Sequence, residues 1–259
     1  MKNIKSYCFI LFAVLFIAGC EKNKISLDDA TVIKDEALLK LGYFSPNSAN
    51  PGVQLKVNGA RVSYLLTNAT PFPGGGYNTG GSNNSDYVAI KPGETKITLS
   101  IPKRGTNEDS VVVLDQTISL AGGKKYSMFT SDSIPNIQSF MVEDVFTTPD
   151  SGYSKVRFTN LMKNVPAVDF YQNDVLVKAN VAYNTCTEFS DIPTANNPCV
   201  FTIRPAGALP TSTALANYPT NGASTFTLTN TRIYTVIARG FTGFTDANRR
   251  PNVSLLLNR

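Results

Sequence analysis

The 259-residue sequence contains no histidine and no tryptophan. Without histidine the chain loses the commonest general base and the commonest metal ligand together, which excludes Ser-His-Asp and Cys-His catalysis and His-based zinc chemistry. Without tryptophan, any flat surface for stacking a sugar or a base has to come from tyrosine or phenylalanine. Cysteine is scarce, at four residues: Cys8, Cys20, Cys186 and Cys199. Long runs of Glu, Lys and Leu are missing while Thr, Asn, Val and Gly are plentiful, a balance that favours strands over helices. Charged residues make up only 17% of the chain, and the net charge of +5 is spread rather than clustered, so there is no footprint for nucleic acid.

What is present begins at the N-terminus. Lys2 and Lys5 precede an apolar run from Tyr7 to Ala18, too short for a comfortable membrane span, and then come Gly19 and Cys20, which together read as a secretory signal. Ile17-Ala18-Gly19-Cys20 resembles the lipobox of bacterial lipoproteins. That resemblance implies that residues 1–19, Cys8 among them, are cut away and that Cys20 carries acyl chains such as palmitate. At about 0.8 kcal/mol per buried methylene, two or three chains give lasting anchorage. Residues 20–37 then form a lipidated tether, and Glu21 stands where some bacteria place an Asp for inner-membrane retention, which points to the outer membrane on either its periplasmic or its cell-surface face.

The remainder is written twice. Pro51–Val62 and Pro166–Val177 lie 115 residues apart, and the same offset carries Leu41 onto Val156, Tyr43 onto Phe158, Leu55 onto Phe170 and Asn58 onto Asn173. Two homologous domains, at 38–147 and 154–259, are the plainest explanation, and each is long enough to bury its own core. Val53, Leu55 and Val57 alternate with polar residues before Asn58-Gly59, the strongest short hairpin signal. Ile97, Leu99 and Ile101 alternate likewise, and Phe201 and Ile203 answer Leu99 and Ile101. Tyr126 and Tyr234 each follow a leucine by six residues at the start of a strand, as in the tyrosine corner of Greek-key sandwiches. The expected fold is all-β: two tandem Ig-like antiparallel sandwiches.

Lys155-Val-Arg-Phe-Thr-Asn, Val165-Pro-Ala-Val-Asp-Phe-Tyr171 and Ile203-Arg-Pro-Ala-Gly207 are similar to the bacterial envelope family called domain of unknown function 4397. The resemblance implies Ig-type β-domains, often in tandem in lipoproteins, and brings no catalytic residues with it. It is closest over the second half; in the first, Gln54 replaces the Asp found at Asp169.

Candidate chemistry is thin. The glycine-rich stretch 71–85 has no following helix and no Lys-Ser/Thr pair to hold phosphate, so it reads as a loop in which Phe72 and Tyr77 offer a contact surface. Cys186 and Cys199 flank a turn in an oxidising compartment, which favours a disulfide over two free buried thiols. Asp28-Asp29, Glu108-Asp109, Glu143-Asp144 and Asp169 read as solvated charge, because neighbours on a strand point to opposite faces and make no catalytic dyad. Neither a cofactor nor a metal is expected. Two function classes follow: a non-catalytic envelope lipoprotein that presents its loops to a glycan, a peptide or a partner protein, and a hydrolase working through Asp and Glu alone. An enzyme needs two carboxylates converging in a cleft, whereas binding needs only exposed loop aromatics.

Overall fold

Two hairpins set the architecture. Asn58 and Gly59 take φ of 49° and 83°, and Asn173 and Asp174 take 47° and 63°. Paired positive φ angles suit the two-residue turn whose twist matches its strands. The first turn joins β2 (Gln54–Val57) to β3 (Ala60–Arg61), and the second joins β12 (Ala167–Gln172) to β13 (Val175–Ala182). The computed structural model describes residues 35–79, 85–220 and 225–259, so the expected signal, Cys20 and most of the tether lie outside them.

Each hairpin belongs to an outer sheet. In the first half, β2 also pairs with β7 (Gly93–Pro102), which pairs with β8 (Asp109–Leu120). In the second half, β12 also pairs with β16 (Phe201–Pro205), which pairs with β17 (Ala216–Tyr218). Opposite each lies an inner sheet built around a parallel pair. β1 (Ala37–Tyr43) runs alongside β9 (Lys125–Ser131), and β11 (Tyr153–Asn160) alongside β18 (Ile233–Arg239). The first inner sheet is completed by β4 (Thr70–Phe72), β6 (Val88–Ile90) and β10 (Gln138–Glu143). The second adds β14 (Thr185–Cys186), β15 (Ser190–Pro193) and β19 (Asn252–Leu257). The chain is therefore the all-β sandwich fold its pattern predicts.

Strand alternation sorts the side chains into three apolar clusters. Leu39, Leu41, Leu55, Ile97, Leu99 and Met128 fill the first sandwich, and Val156, Phe158, Phe170, Phe201, Val236 and Leu255 fill the second. The third cluster, Phe44, Ala69, Phe129, Leu161, Ile237 and Leu256, draws on residues of both inner sheets. These are the alternate positions of the same strands, so the inner sheets pack back to back through the faces turned away from their own cores. The sandwiches stack as four layers and form one compact unit over 35–259.

One strand crosses the expected boundary. β5 (Gly76–Tyr77), from the glycine-rich stretch of the first half, pairs antiparallel with β19 at the edge of the second inner sheet.

Candidate functional site

The polar residues between the inner sheets form the most heavily buried ionic cluster. Asp144, just after β10, accepts hydrogen bonds from Arg157 of β11 (2.5 Å), Ser127 of β9 (2.7 Å), Tyr87 (2.8 Å) and Asn258 (3.3 Å). Arg157 also donates to Thr235 Oγ1 at 2.8 Å, and its guanidinium lies 4.6 Å from the centroid of Phe189. Lys40 donates to the Leu257 carbonyl at 2.5 Å, with its ammonium 4.6 Å from the Tyr87 ring centroid. Asp144 was expected to be solvated; it is 7% exposed, because the second sandwich covers it and supplies the partners that make its burial tolerable.

Burial lowers Lys40 to about 8 against the pull of Asp144, and it pushes Tyr87 upward. A lysine so depressed is the kind of group catalysis uses. Here Lys40 is 0% exposed, so no substrate reaches it and its chemistry is structural. Lys40 loses its proton near pH 8 when folded and near 10.5 when unfolded. Between those values the unfolded chain holds the proton more tightly, so stability contributed by this site rises with pH across that window. Below it the charged form costs about 3 kcal/mol, and the Leu257 hydrogen bond returns about 1 kcal/mol of that. Lys40→Met is therefore expected to be about 2 kcal/mol more stable than the parent at pH 7, with the gap closing toward pH 10. Urea titrations at the two pH values check it, and a gap independent of pH would count against the assignment.

The residues singled out from the sequence fall as follows. Phe72 lies in β4, 8% exposed, in the first core. Tyr77 lies in β5 with its ring against Phe226 (centroids 5.6 Å apart) and Tyr234 (6.2 Å). A contact surface was expected here; both rings are instead committed to packing, Tyr77 on the partner sandwich. Gly76 answers to that packing, since a Cβ there would collide with Thr79 and press on Pro71. Tyr126 accepts a hydrogen bond from the Ala121 backbone N–H (3.2 Å), and Tyr234 accepts the Thr229 N–H (3.3 Å), so each phenol ties its strand to the turn before it.

The expected Cys186–Cys199 disulfide is not formed; both are free thiols. Cys199 is buried in the second core, its Sγ accepting from Gln172 at 3.6 Å, whereas Cys186 meets Thr159 Oγ1 at 3.0 Å on the opposite face of the inner sheet. Spacing along the chain suggested a bridge, but strand alternation places the two sulfurs on different sides. Burial pushes both thiols up, Cys199 to about 12, which leaves them protonated and unreactive.

Asp169, Asp191 and Asp246 are likewise spent locally, while Asp28 and Asp29 lie outside the described residues. Asp169, 5% exposed, was expected to be solvated; it accepts the backbone N–H of Asn180 (2.7 Å) and of Gly207 (2.9 Å), which links the Val-Asp-Phe and Arg-Pro-Ala-Gly segments. Gln54 does the corresponding work in the first half, donating to Asn107 O (3.0 Å) and Asp109 Oδ1 (2.9 Å). Asp191 pairs with Lys155 (2.7 Å) and Asp246 with Arg249 (2.9 Å). Among the described residues no three His, Cys, Asp or Glu side chains are grouped to hold a metal. Cys20 lies outside them.

The sequence reading missed a cleft of about 320 Å³ where the two halves meet, lined by Pro46, Asn47, Ser48, Ser133, Asn164, Phe241, Phe244 and Arg249. The loop bearing its aromatic residues is closed by Phe241 N donating to Arg249 O (2.7 Å). Gly240, at φ +92°, is required there, because a Cβ would strike the Arg250 carbonyl. Asn164 holds the loop by exchanging two hydrogen bonds with the Thr242 backbone, at 2.9 and 3.0 Å. Asn248 fastens it to the first half, accepting from Asn50 Nδ2 (3.4 Å) and, through its carbonyl, from Asn68 Nδ2 (2.6 Å). Asp132 pairs with Lys163 beside it, a second ionic link between the halves. Phe241-Thr-Gly-Phe244, two aromatics around a glycine in a polar loop, is the signal the sequence carries for it.

A family model described as Domain of unknown function (DUF4397) matches residues 37–171 and 154–253, two overlapping regions that follow the two halves. No curated protein is found to be similar to the chain.

Proposed function

The chain belongs to the DUF4397 family, and we propose that it is a non-catalytic lipoprotein of the outer membrane, anchored through Cys20, whose paired sandwiches hold a binding cleft for a glycan or another envelope protein. The observation that carries this reading is the cleft itself. It is an aromatic-floored recess rimmed by amides and hydroxyls, and both halves contribute to it. That composition is the usual one for a ligand pocket, and its volume sits at the small end of the usual range of about 300 to 1,000 Å³. The ionic pairs and β5 fix the halves together, so its loops are presented at a set distance from one another, which lowers the ordering cost of binding. Against catalysis stands the dispersal of Asp169, Asp191 and Asp246, each of which already serves a backbone turn or an ion pair.

Two measurements test the proposal. Cys20→Ala should move the protein from the membrane fraction to the soluble one. Phe244→Ala should markedly weaken binding on an array of glycans and peptides while costing no more than about 1 kcal/mol in thermal unfolding, since Phe244 is 38% exposed. Turnover of any arrayed ligand by the purified protein, or binding unaffected by the Phe244 change, would overturn it.

A further inference from the structure

Among the described residues that line the cleft Arg249 is the one that is charged, and its side chain is held on two sides. Asp246 takes its Nε at 2.9 Å and its backbone N–H at 3.1 Å, while the guanidinium lies over Phe244, 4.2 Å from the ring centroid. Anchoring through Nε leaves the edge formed by the two terminal amino groups without a hydrogen-bond partner among the described residues. A guanidinium with its plane fixed and that edge open suits a carboxylate, which takes two parallel N–H bonds. Around it the polar groups are neutral: the hydroxyls of Ser48 and Ser133 and the amide of Asn47, which both donate and accept. Behind them Phe241 and Phe244 stand with centroids 6.0 Å apart and planes inclined at 55°, forming an apolar corner with Pro46.

Resting on the binding reading above, we propose that this cleft takes an acidic sugar, a uronic acid residue of a glycan, with its carboxylate on the open edge of Arg249 and its C–H face against Phe241 and Phe244. A pyranose ring carries apolar C–H groups on its face and hydroxyls around its rim, and the cleft offers an aromatic corner with neutral donors and acceptors around it. A bare phosphate has no use for the aromatic corner. A neutral sugar offers the guanidinium edge only hydroxyl oxygens, without the charge or the bidentate geometry of a carboxylate. The volume admits one or two rings, so recognition rests on a terminal or flexible unit of the chain and not on a long groove.

The test uses oligogalacturonate and oligoglucuronate, each paired with its methyl ester, which keeps the ring and removes the charge. Titration calorimetry on the full mature chain should show the acid binding at least 10-fold tighter than the ester, corresponding to about 1.4 kcal/mol. Arg249→Gln should bring that ratio to about one, Arg249→Lys should leave a reduced preference, and Phe244→Ala should weaken acid and ester alike. Thermal unfolding of each variant separates these effects from loss of fold. Equal affinity for acid and ester in the parent overturns the carboxylate assignment while leaving a glycan site in place. If neither form binds while short peptides do, through their C-terminal carboxylate, the acidic-sugar assignment fails and the cleft still binds. Failure of every arrayed ligand in the preceding experiment is the separate result that removes the cleft as a site.

Discussion

Tyr77→Ala should lower the stability of the whole unit by about 2 to 4 kcal/mol in urea unfolding, the range for truncating a largely packed aromatic. A tyrosine in a mobile glycine-rich tip would cost almost nothing. The difference arises because Tyr77 leaves its own sandwich and completes the other. Leu255 and Leu256 of β19 pair with Tyr77 and Gly76, and Leu257 N–H donates to Gly75 O at 2.8 Å. The ring then fills space beside Phe226 and Tyr234, joining the core of the second half. Phe226 is itself shared with Phe201 and Tyr218, at 6.1 and 5.3 Å between centroids, so an empty site at Tyr77 is not easily closed by a single neighbour. The loss should be felt in both halves at once, and a fall confined to one transition, or a change below about 0.5 kcal/mol, would show that β5 is dispensable.

Most of the architecture was legible because strands repeat every two residues. The offset of 115 holds at the hairpins: Leu55 faces Leu99 as Phe170 faces Ile203, and the turns at 58–59 and 173–174 correspond. At the first strand it slips. Leu39 pairs with Tyr126 and Val156 with Tyr234, so Leu39, not Leu41, is the counterpart of Val156. Leu99, opposite Leu55, corresponds to Ile203, opposite Phe170, and not to Phe201, which is a second slip of two residues. An even slip leaves every side chain on its own face, which is why the predicted cores remain right where the alignment is not.

What alternation does not tell is whether the polar face of a strand is wet. Lys40, Ser127, Arg157, Thr235 and Ser254 alternate with core residues as a solvated face would, yet all are buried between the inner sheets. A polar face can meet another polar face provided each group finds a partner, and that pairing depends on the docking of two sheets far apart in sequence. The disulfide reading failed for a related reason, since closeness along the chain carries less weight than the side of the sheet on which a residue falls. The cleft escaped because its lining comes from loops separated by nearly the whole chain, from Pro46 to Arg249.

Asp144→Ala should be the most damaging single change, costing about 3 to 5 kcal/mol, because it strands a buried cation. Arg157 is 3% exposed and would retain Thr235 and the faces of Phe189 and Phe129, with no carboxylate beside it among the described residues. Ser127, Tyr87 and Asn258 would each lose an acceptor in the same place. Removing both members tells a different story. In Asp144→Leu with Arg157→Met, neither charge has to be desolvated, and the apolar neighbours Phe129 and Phe189 already border the site, at 6.0 and 4.6 Å from the guanidinium. The double variant should recover about half of the Asp144→Ala loss, because Arg157 is no longer stranded while Ser127, Tyr87 and Asn258 still lack their acceptor, giving a coupling energy of about 2 kcal/mol in a double-mutant cycle. Additive losses would mean that the ion pair does not act as a unit. Recovery would place part of the value of this pair elsewhere than in stability: a buried charge matched by only one partner makes alternative dockings of the inner sheets costly, and so sets the angle at which the two halves, and the cleft between them, are held.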